Sequence, residues 1–202
     1  ILDIEKLIFN GADKVVINSH GHNNTKLFEE GSNKFGNQAI VASIDVRKVN
    51  NEYVCYTHSG NNKKSILKDT IKEAENCGVG EIFINSIDRD GTKTGFDKQL
   101  ISYAKKYTSV PLTICGGAGK ASHFNSVLRF KISGIAAGNF FHFSEHSVIS
   151  LKSYLIRRNK NIRLDTLANY RSMQINDEGR ILPLTDNRID RLRFKYIEKE
   201  II

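Results

Sequence analysis

Apolar residues follow two alternating rhythms along this chain. Short runs such as Val15-Val16-Ile17, Ala39-Ile40-Val41-Ala42 and Ile82-Phe83-Ile84 are bounded by polar residues or glycine, the pattern of strands buried in a parallel sheet. Strands are expected over Lys14–Asn18, Ala39–Asp45, Glu81–Ile87, Pro111–Cys115 and Gly134–Ala137. Helical spacing fills the intervals and predicts helices over Leu2–Asn10, Lys26–Lys34, Ile66–Asn76, Lys98–Lys106, Ser122–Phe130 and Ser147–Arg158. Residues Val46–Tyr56 alternate around Asn50-Asn51 and read as a hairpin-like insertion. A loop is expected over Ser59–Lys64.

Strands that alternate with helices imply parallel βαβ units with right-handed crossovers. Five such strands suit an open doubly wound sheet or part of an eight-stranded barrel. The chain opens at Ile1, inside a helical pattern, which suits a barrel whose first three βα units precede it; the five strands would then be strands 4 to 8. The expected division is 1–164 for the barrel portion and 165–202 for a C-terminal extension packed on it. In that extension Arg163–Tyr170 reads as a further turn of helix, Asp177-Glu178-Gly179 as a hairpin turn and Leu192–Ile197 as a short strand.

The carboxyl end of a parallel strand opens onto a crevice where ligands bind, and polar residues collect there in this chain. The ends are Asn18-Ser19, Asp45, Asp88 with Asp90-Gly91, Gly116-Gly117 and Gly138-Asn139. Glycine lets backbone approach an oxyanion closely, and helix amides beyond it favour negative charge. The alternative for Asp88 and Asp90 is capping of the next helix, and for the glycines plain turn formation. The apolar part of the Glu81–Ile87 strand is expected to be covered on both faces. Asp45, if structural, needs a partner such as Arg47 or Lys48 to offset its burial; as a general acid or base it needs none.

Composition narrows the classes. The 202 residues are 40% hydrophobic with a formal charge of +8, suited to a globular protein with anionic partners. Much of the surplus lies late, from Arg157 to Arg193, and is expected to be solvated surface. No apolar run approaches the about 20 residues of a membrane span, and the opening residues lack the pattern of a signal peptide. Cys55, Cys77 and Cys115 form no metal or disulfide spacing, which favours a reducing cytoplasm. His20 and His22 lack a nearby third ligand, so no metal is expected. His142 between Phe141 and Phe143 reads as packing, and Cys115 as a buried small residue before a nucleophile. A nucleic-acid-binding module would suit the charge, but no stacked aromatic platform is evident; neither a nucleic acid nor a membrane is expected as partner.

The blocks Gly11–Ser19, Ile44-Asp45, Ser86-Ile-Asp-Arg-Asp-Gly-Thr-Lys-Thr-Gly-Phe-Asp97, Cys115-Gly-Gly-Ala-Gly-Lys120 and Phe141-His-Phe143 carry a resemblance in order and spacing. Through about Leu164 the chain resembles the cyclase subunit of imidazole glycerol phosphate synthase, a (β/α)8 TIM barrel of histidine biosynthesis. The Ser86–Thr92 block is the specific one. The resemblance implies a lyase that takes ammonia from a glutaminase subunit, its heterodimer partner, through the barrel to a bis-phosphorylated formimino-aminoimidazole carboxamide ribonucleotide. It implies Asp45 as one of two general acid/base aspartates; the other belongs to the first strand, upstream of Ile1, so the isolated chain is expected to be inactive.

The same resemblance implies phosphate binding at Asn18 and Ser19, and at Asp90, Gly91, Gly117, Gly138 and Asn139. It implies a channel gate that includes Lys14 and Glu81, a glutaminase contact at Asp13, no cofactor and a cytoplasmic location. Asn85, where the family usually has threonine, and Cys115, where it often has serine, are departures. The extension has no counterpart. Such changes also resemble paralogues thought to help amidinate a sugar in surface-polysaccharide synthesis, the alternative substrate class.

Overall fold

The computed structural model describes residues 1–191 apart from Ser59, Ser144, Glu145, residues 167–169 and Arg171. Five strands run parallel: β1 (Val15–Ile17), β2 (Ile40–Val49), β5 (Glu81–Ser86), β6 (Leu112–Cys115) and β7 (Gly134–Ile135). Two more, β3 (Glu52–Thr57) and β4 (Asn62–Ile66), continue from β2 as an antiparallel meander. The parallel strands neighbour one another in chain order, β1-β2-β5-β6-β7. That succession makes a barrel wall and lacks the reversal of order that defines a doubly wound sheet. The fold is therefore the α/β class expected, five staves of a (β/α)8 barrel, with no hydrogen-bonded closure among the described residues.

The helices are α1 (Leu2–Phe9), α2 (Ser19–Asn23), α3 (Lys26–Phe35), α4 (Leu67–Asn76), α5 (Lys98–Tyr107), α6 (Ala121–Val127), α7 (Asn139–His142), α8 (Ser147–Ile156) and α9 (Asp186–Ile189). Their ends follow local chemistry. Helix α3 stops at Gly36, whose φ of 87° favours glycine. Helix α5 starts at Asp97, whose carboxylate accepts the Gln99 and Leu100 amides, both at 2.9 Å. Asp97, not Asp88 or Asp90, thus caps the helix after β5. No helix among the described residues is long and apolar enough to cross a membrane.

The helices pack on one face of the sheet. Ile40, Ala42, Ile44, Ile82, Ile84, Leu112 and Ile114 are buried there with Leu100, Ile101 and Ala104 of α5. Each isoleucine or leucine among them contributes about 1.5–3 kcal/mol by leaving water. The other face is only partly covered. β2 is buried on both faces, but Val16 is 58% exposed and Glu81, Phe83 and Asn85 are half-buried. The expectation that β5 is covered on both faces is corrected: its helices lie against one side, and the other lines the concave side of the wall.

The expected hairpin forms, and a strand replaces part of the expected loop. Asn50 and Asn51 turn with φ of 47° and 67°, the left-handed pair of a tight hairpin, and the strand beyond β3 pairs back through Tyr56–Lys63 and Thr57–Asn62. A strand thus stands where a loop was expected after Gly60. β1 and β3 both pair with the edge of β2 opposite β5, β1 along Ile40–Ala42 and β3 along Asp45–Val49. In the extension, Ile175 and Ile181 bridge across the expected hairpin turn. The helical turn expected over Arg163–Tyr170 is absent from its described residues, and the strand expected over Leu192–Ile197 lies outside the described residues.

Candidate active site

Register places the site. Asp45 of β2 lies opposite Asn85 of β5, and Asn85 opposite Cys115 of β6. This row is next to the end of the parallel pairing, which closes one residue later at Val46–Ser86. The strand itself continues past Asp45 to Val49 because β3 takes over the pairing.

The Asp45 carboxylate is held by two amides. Asn18 donates from the end of β1 to Oδ2 at 2.9 Å, and Asn85 donates from β5 to Oδ1 at 3.1 Å. The expected partners do other work. Arg47 lies 3.3 Å from Asp88, Lys48 donates its amide to Asp88 at 2.8 Å, and Lys48 Nζ donates to Gln99 at 3.0 Å. Residue 47 shares the face of residue 45 but sits a full pleat farther along, where the β5 turn meets it. Two of the roughly four lone-pair positions of a carboxylate are occupied in this clamp, and the others remain for a substrate proton. The Oδ1 atoms of Asn18 and Asn85 are buried and unpartnered among the described residues, which costs free energy wherever no ligand or water meets them.

The remaining rim residues fall on the same side. Ser19 opens α2 and its hydroxyl accepts the His58 amide from the end of β3 at 2.8 Å. Asp90 and Gly91 are exposed in the turn after β5. Gly117 follows β6 with φ of 96°, and a Cβ there would lie 2.3 Å from the Gly95 carbonyl oxygen. The Gly95 amide donates to the Gly117 carbonyl at 2.7 Å, so the loops after β5 and β6 lie in contact. Gly138 and Asn139 are exposed at the start of α7, and a Cβ on Gly138 would meet nothing within 4 Å. Asp45, Asp90, Gly117 and Gly138 thus share the carboxyl rim.

Lys14 and Glu81 lie at the opposite, amino-terminal mouth and pair at 2.6 Å. Glu81 also accepts from Thr113 at 2.6 Å. Burial alone would raise the Glu81 carboxyl, but the bonds from Lys14 and Thr113 outweigh it and hold it below the ordinary value of 4.5. Asp13 is exposed beside this pair in the chain.

Other candidates resolve differently. His22 is buried, with Nε2 2.7 Å from the Ser43 carbonyl oxygen, and burial lowers its pKa. No cluster of three metal-ligating side chains forms among the described residues. Burial pushes the Cys115 thiol up, away from the thiolate a nucleophile needs. His142 is exposed and among the described residues meets one ring, Phe143, edge to face with centroids 4.7 Å apart, so its packing role is corrected: α7 turns it outward. Asn85 is the site residue that spacing alone left without a role. Its signal is present, since Ile44-Asp45 and Ile84-Asn85 make the same apolar-to-polar step on strands that neighbour in order.

The histidine biosynthesis protein family profile matches residues 1–147. The chain is 40% identical over 163 residues to imidazole glycerol phosphate synthase subunit HisF of Thermotoga sp., covering 80% of this chain and 64% of that protein. It is 40% identical over 167 residues to the same-named subunit of Sulfurisphaera tokodaii, with 81% and 66% covered. The Cytophaga hutchinsonii subunit is 38% identical over 167 residues, again with 81% and 66% covered. The chain thus spans a little under two thirds of the length of these curated relatives. Its parallel wall, its rim of strand-end residues and its matched length agree, and the chain belongs to the histidine biosynthesis protein family.

Proposed function

We propose that this chain supplies the acid/base aspartate and phosphate-binding rim of a cyclase of the imidazole glycerol phosphate synthase type. The carrying observation is Asp45, clamped at the carboxyl rim by two amides from adjacent strands. Its free lone pairs serve a proton transfer as ammonia adds to the ribonucleotide and the ring closes. General acid/base groups of this kind are worth about 10²–10⁴-fold in rate.

Around it, Asn18 and Ser19 take one substrate phosphate, and Asp90, Gly91, Gly117, Gly138 and Asn139 take the other. The Lys14–Glu81 pair gates ammonia entry at the amino-terminal mouth, and Asp13 contacts a glutaminase partner outside it. The reaction belongs to histidine synthesis in the cytoplasm and needs no cofactor. Relatives named for this synthase subunit support the reading.

The test is Asp45→Asn in the protein that carries this chain, with ammonium salt replacing glutamine so that partner effects drop out. Turnover is expected to fall by roughly 100-fold or more. Undiminished turnover removes Asp45 from the mechanism.

A further inference from the structure

The hairpin of the C-terminal extension touches α6 and α7, the helices that follow the two loops of the second phosphate site. The backbone carbonyl of Asp177 accepts the Ser122 amide of α6 at 3.0 Å, five residues beyond Gly117. The Asp177 carboxylate accepts from the Tyr154 hydroxyl at 2.7 Å and from Arg158 at 2.8 Å. Tyr154 is itself buried, and the Arg158 guanidinium stacks on its ring at 3.6 Å. Gly179 fits between the two loops: a Cβ there would lie 3.2 Å from the Ala121 Cβ and 3.4 Å from the Phe140 ring. Phe140 follows Gly138-Asn139 directly and packs on Phe124 of α6, with ring centroids 4.8 Å apart. Ile175 anchors the hairpin in the core.

One flank of the Gly117 loop already rests on Gly95. The hairpin supplies the other flank, and it is the same segment that backs α7. Loops held on both sides keep their amides aimed before the ligand arrives, which spares ordering entropy on binding. Glu178 lies 3.4 Å from Lys120, but both are about half exposed, so this pair adds little.

We infer that the 174–182 hairpin is a positioning element that sets the Gly117 and Gly138 loops for anion binding. This rests on the phosphate-site reading above. The experiment titrates inorganic phosphate into the protein that carries this chain and follows the Gly117 and Gly138 backbone amides by NMR, with melting temperature measured alongside. Three variants are compared with the parent. Asp177→Ala removes both carboxylate contacts, Asp177→Asn keeps an acceptor oxygen, and Gly179→Val drives a wedge against Ala121 and Phe140.

The expected result is saturable binding by the parent and roughly fivefold or weaker binding by Asp177→Ala and Gly179→Val, as lost preorganisation predicts. Asp177→Asn should stay within about twofold, since its oxygen still accepts from Tyr154 and Arg158. Equal affinity across all four proteins, even with lowered melting temperatures, overturns the inference and leaves the hairpin a plain stabiliser. Absence of saturable binding by the parent overturns the phosphate-site reading with it.

Discussion

Asn85 faces Asp45 directly across the β2–β5 register and donates to it at 3.1 Å, while its own side-chain oxygen is buried without a partner among the described residues. The residue therefore works against itself in stability terms. Its N–H bond to a carboxylate is favourable, and its orphaned oxygen is costly.

Asn85→Leu separates the two terms. Removing the donor costs about 1.5–3 kcal/mol and removing the buried orphan returns about 1–3 kcal/mol, so stability should change by no more than about 2 kcal/mol. Turnover should fall about tenfold with KM little changed, because only the aim of Asp45 is lost. Urea denaturation and steady-state kinetics with ammonium salt read the two effects. An unchanged kcat would show that Asn18 alone holds the carboxylate.

The rim glycines should divide sharply. Gly117→Ala places a methyl 2.3 Å from backbone at a φ of 96°, and should cost about 2–4 kcal/mol. Gly138→Ala meets open space without positive φ, and should change stability by about 0.5 kcal/mol or less. Denaturant midpoints of the two variants make the comparison, and equal losses would contradict the loop geometry.

The Lys14–Glu81 pair predicts an acid limb. The Glu81 carboxyl is held below its ordinary 4.5, so its contribution is present above that value and is lost as pH falls through the lower folded one. Lys14→Met should cost about 0.5–1 kcal/mol at pH 7, since Lys14 is half exposed. The gap between variant and parent should be present at pH 7 and close in acid, below the folded value of Glu81. Denaturant midpoints at pH 7 and in acid check this, and a gap that persists in acid would assign the loss to packing.

Alkali should act through three buried groups. Burial raises Tyr53, Tyr154 and Cys55 each to about 12, with Asp97 adding to the first and the Asp177 bond to the second. Ordinary values are 10 for tyrosine and 9 for cysteine. The native state therefore keeps these protons longer than the unfolded chain. Their contribution is whole below pH 9 and is lost as pH rises from 9 towards 12. Tyr154→Phe should flatten the upper part of this decline in a pH series of urea midpoints.

The half-open concave face predicts association. Val16 is 58% exposed there and β1 presents a free edge among the described residues. The 202-residue chain on its own should self-associate in sedimentation, because an uncovered edge and apolar surface recruit partners. A monodisperse monomer at high concentration would mean the face is covered by some other arrangement.

Much of this was readable from the chain because parallel βα units announce themselves twice, by apolar runs and by helical spacing. The five parallel strands and their polar tips follow from that repetition. β4 escaped because Asn62-Lys63-Lys64 has no apolar body; it pairs only because β3 offers an edge. Asp88 and Asp90 read as strand-end site residues with helix capping as the alternative, and it is Asp97 that holds the helix start. Asp45 could not reveal its partners, since they come from residues 18 and 85, distances along the chain that no local pattern spans. The docking of the extension was equally hidden, because Asp177 meets Tyr154, Arg158 and Ser122 only through tertiary contacts.

A strand has only two sides, and β2 spends one of them on β1 below and β3 above. β1 stops at Ile17, opposite Ala42, and β3 begins its pairing on the same edge at Asp45. The chain turns into α2 there, and Asn18 reaches sideways for Asp45 while Ser19 meets the end of β3. The corner where chemistry is proposed thus lies in the gap that two strands leave on one shared edge: a longer β1 would carry Asn18 into the ladder and away from the carboxylate.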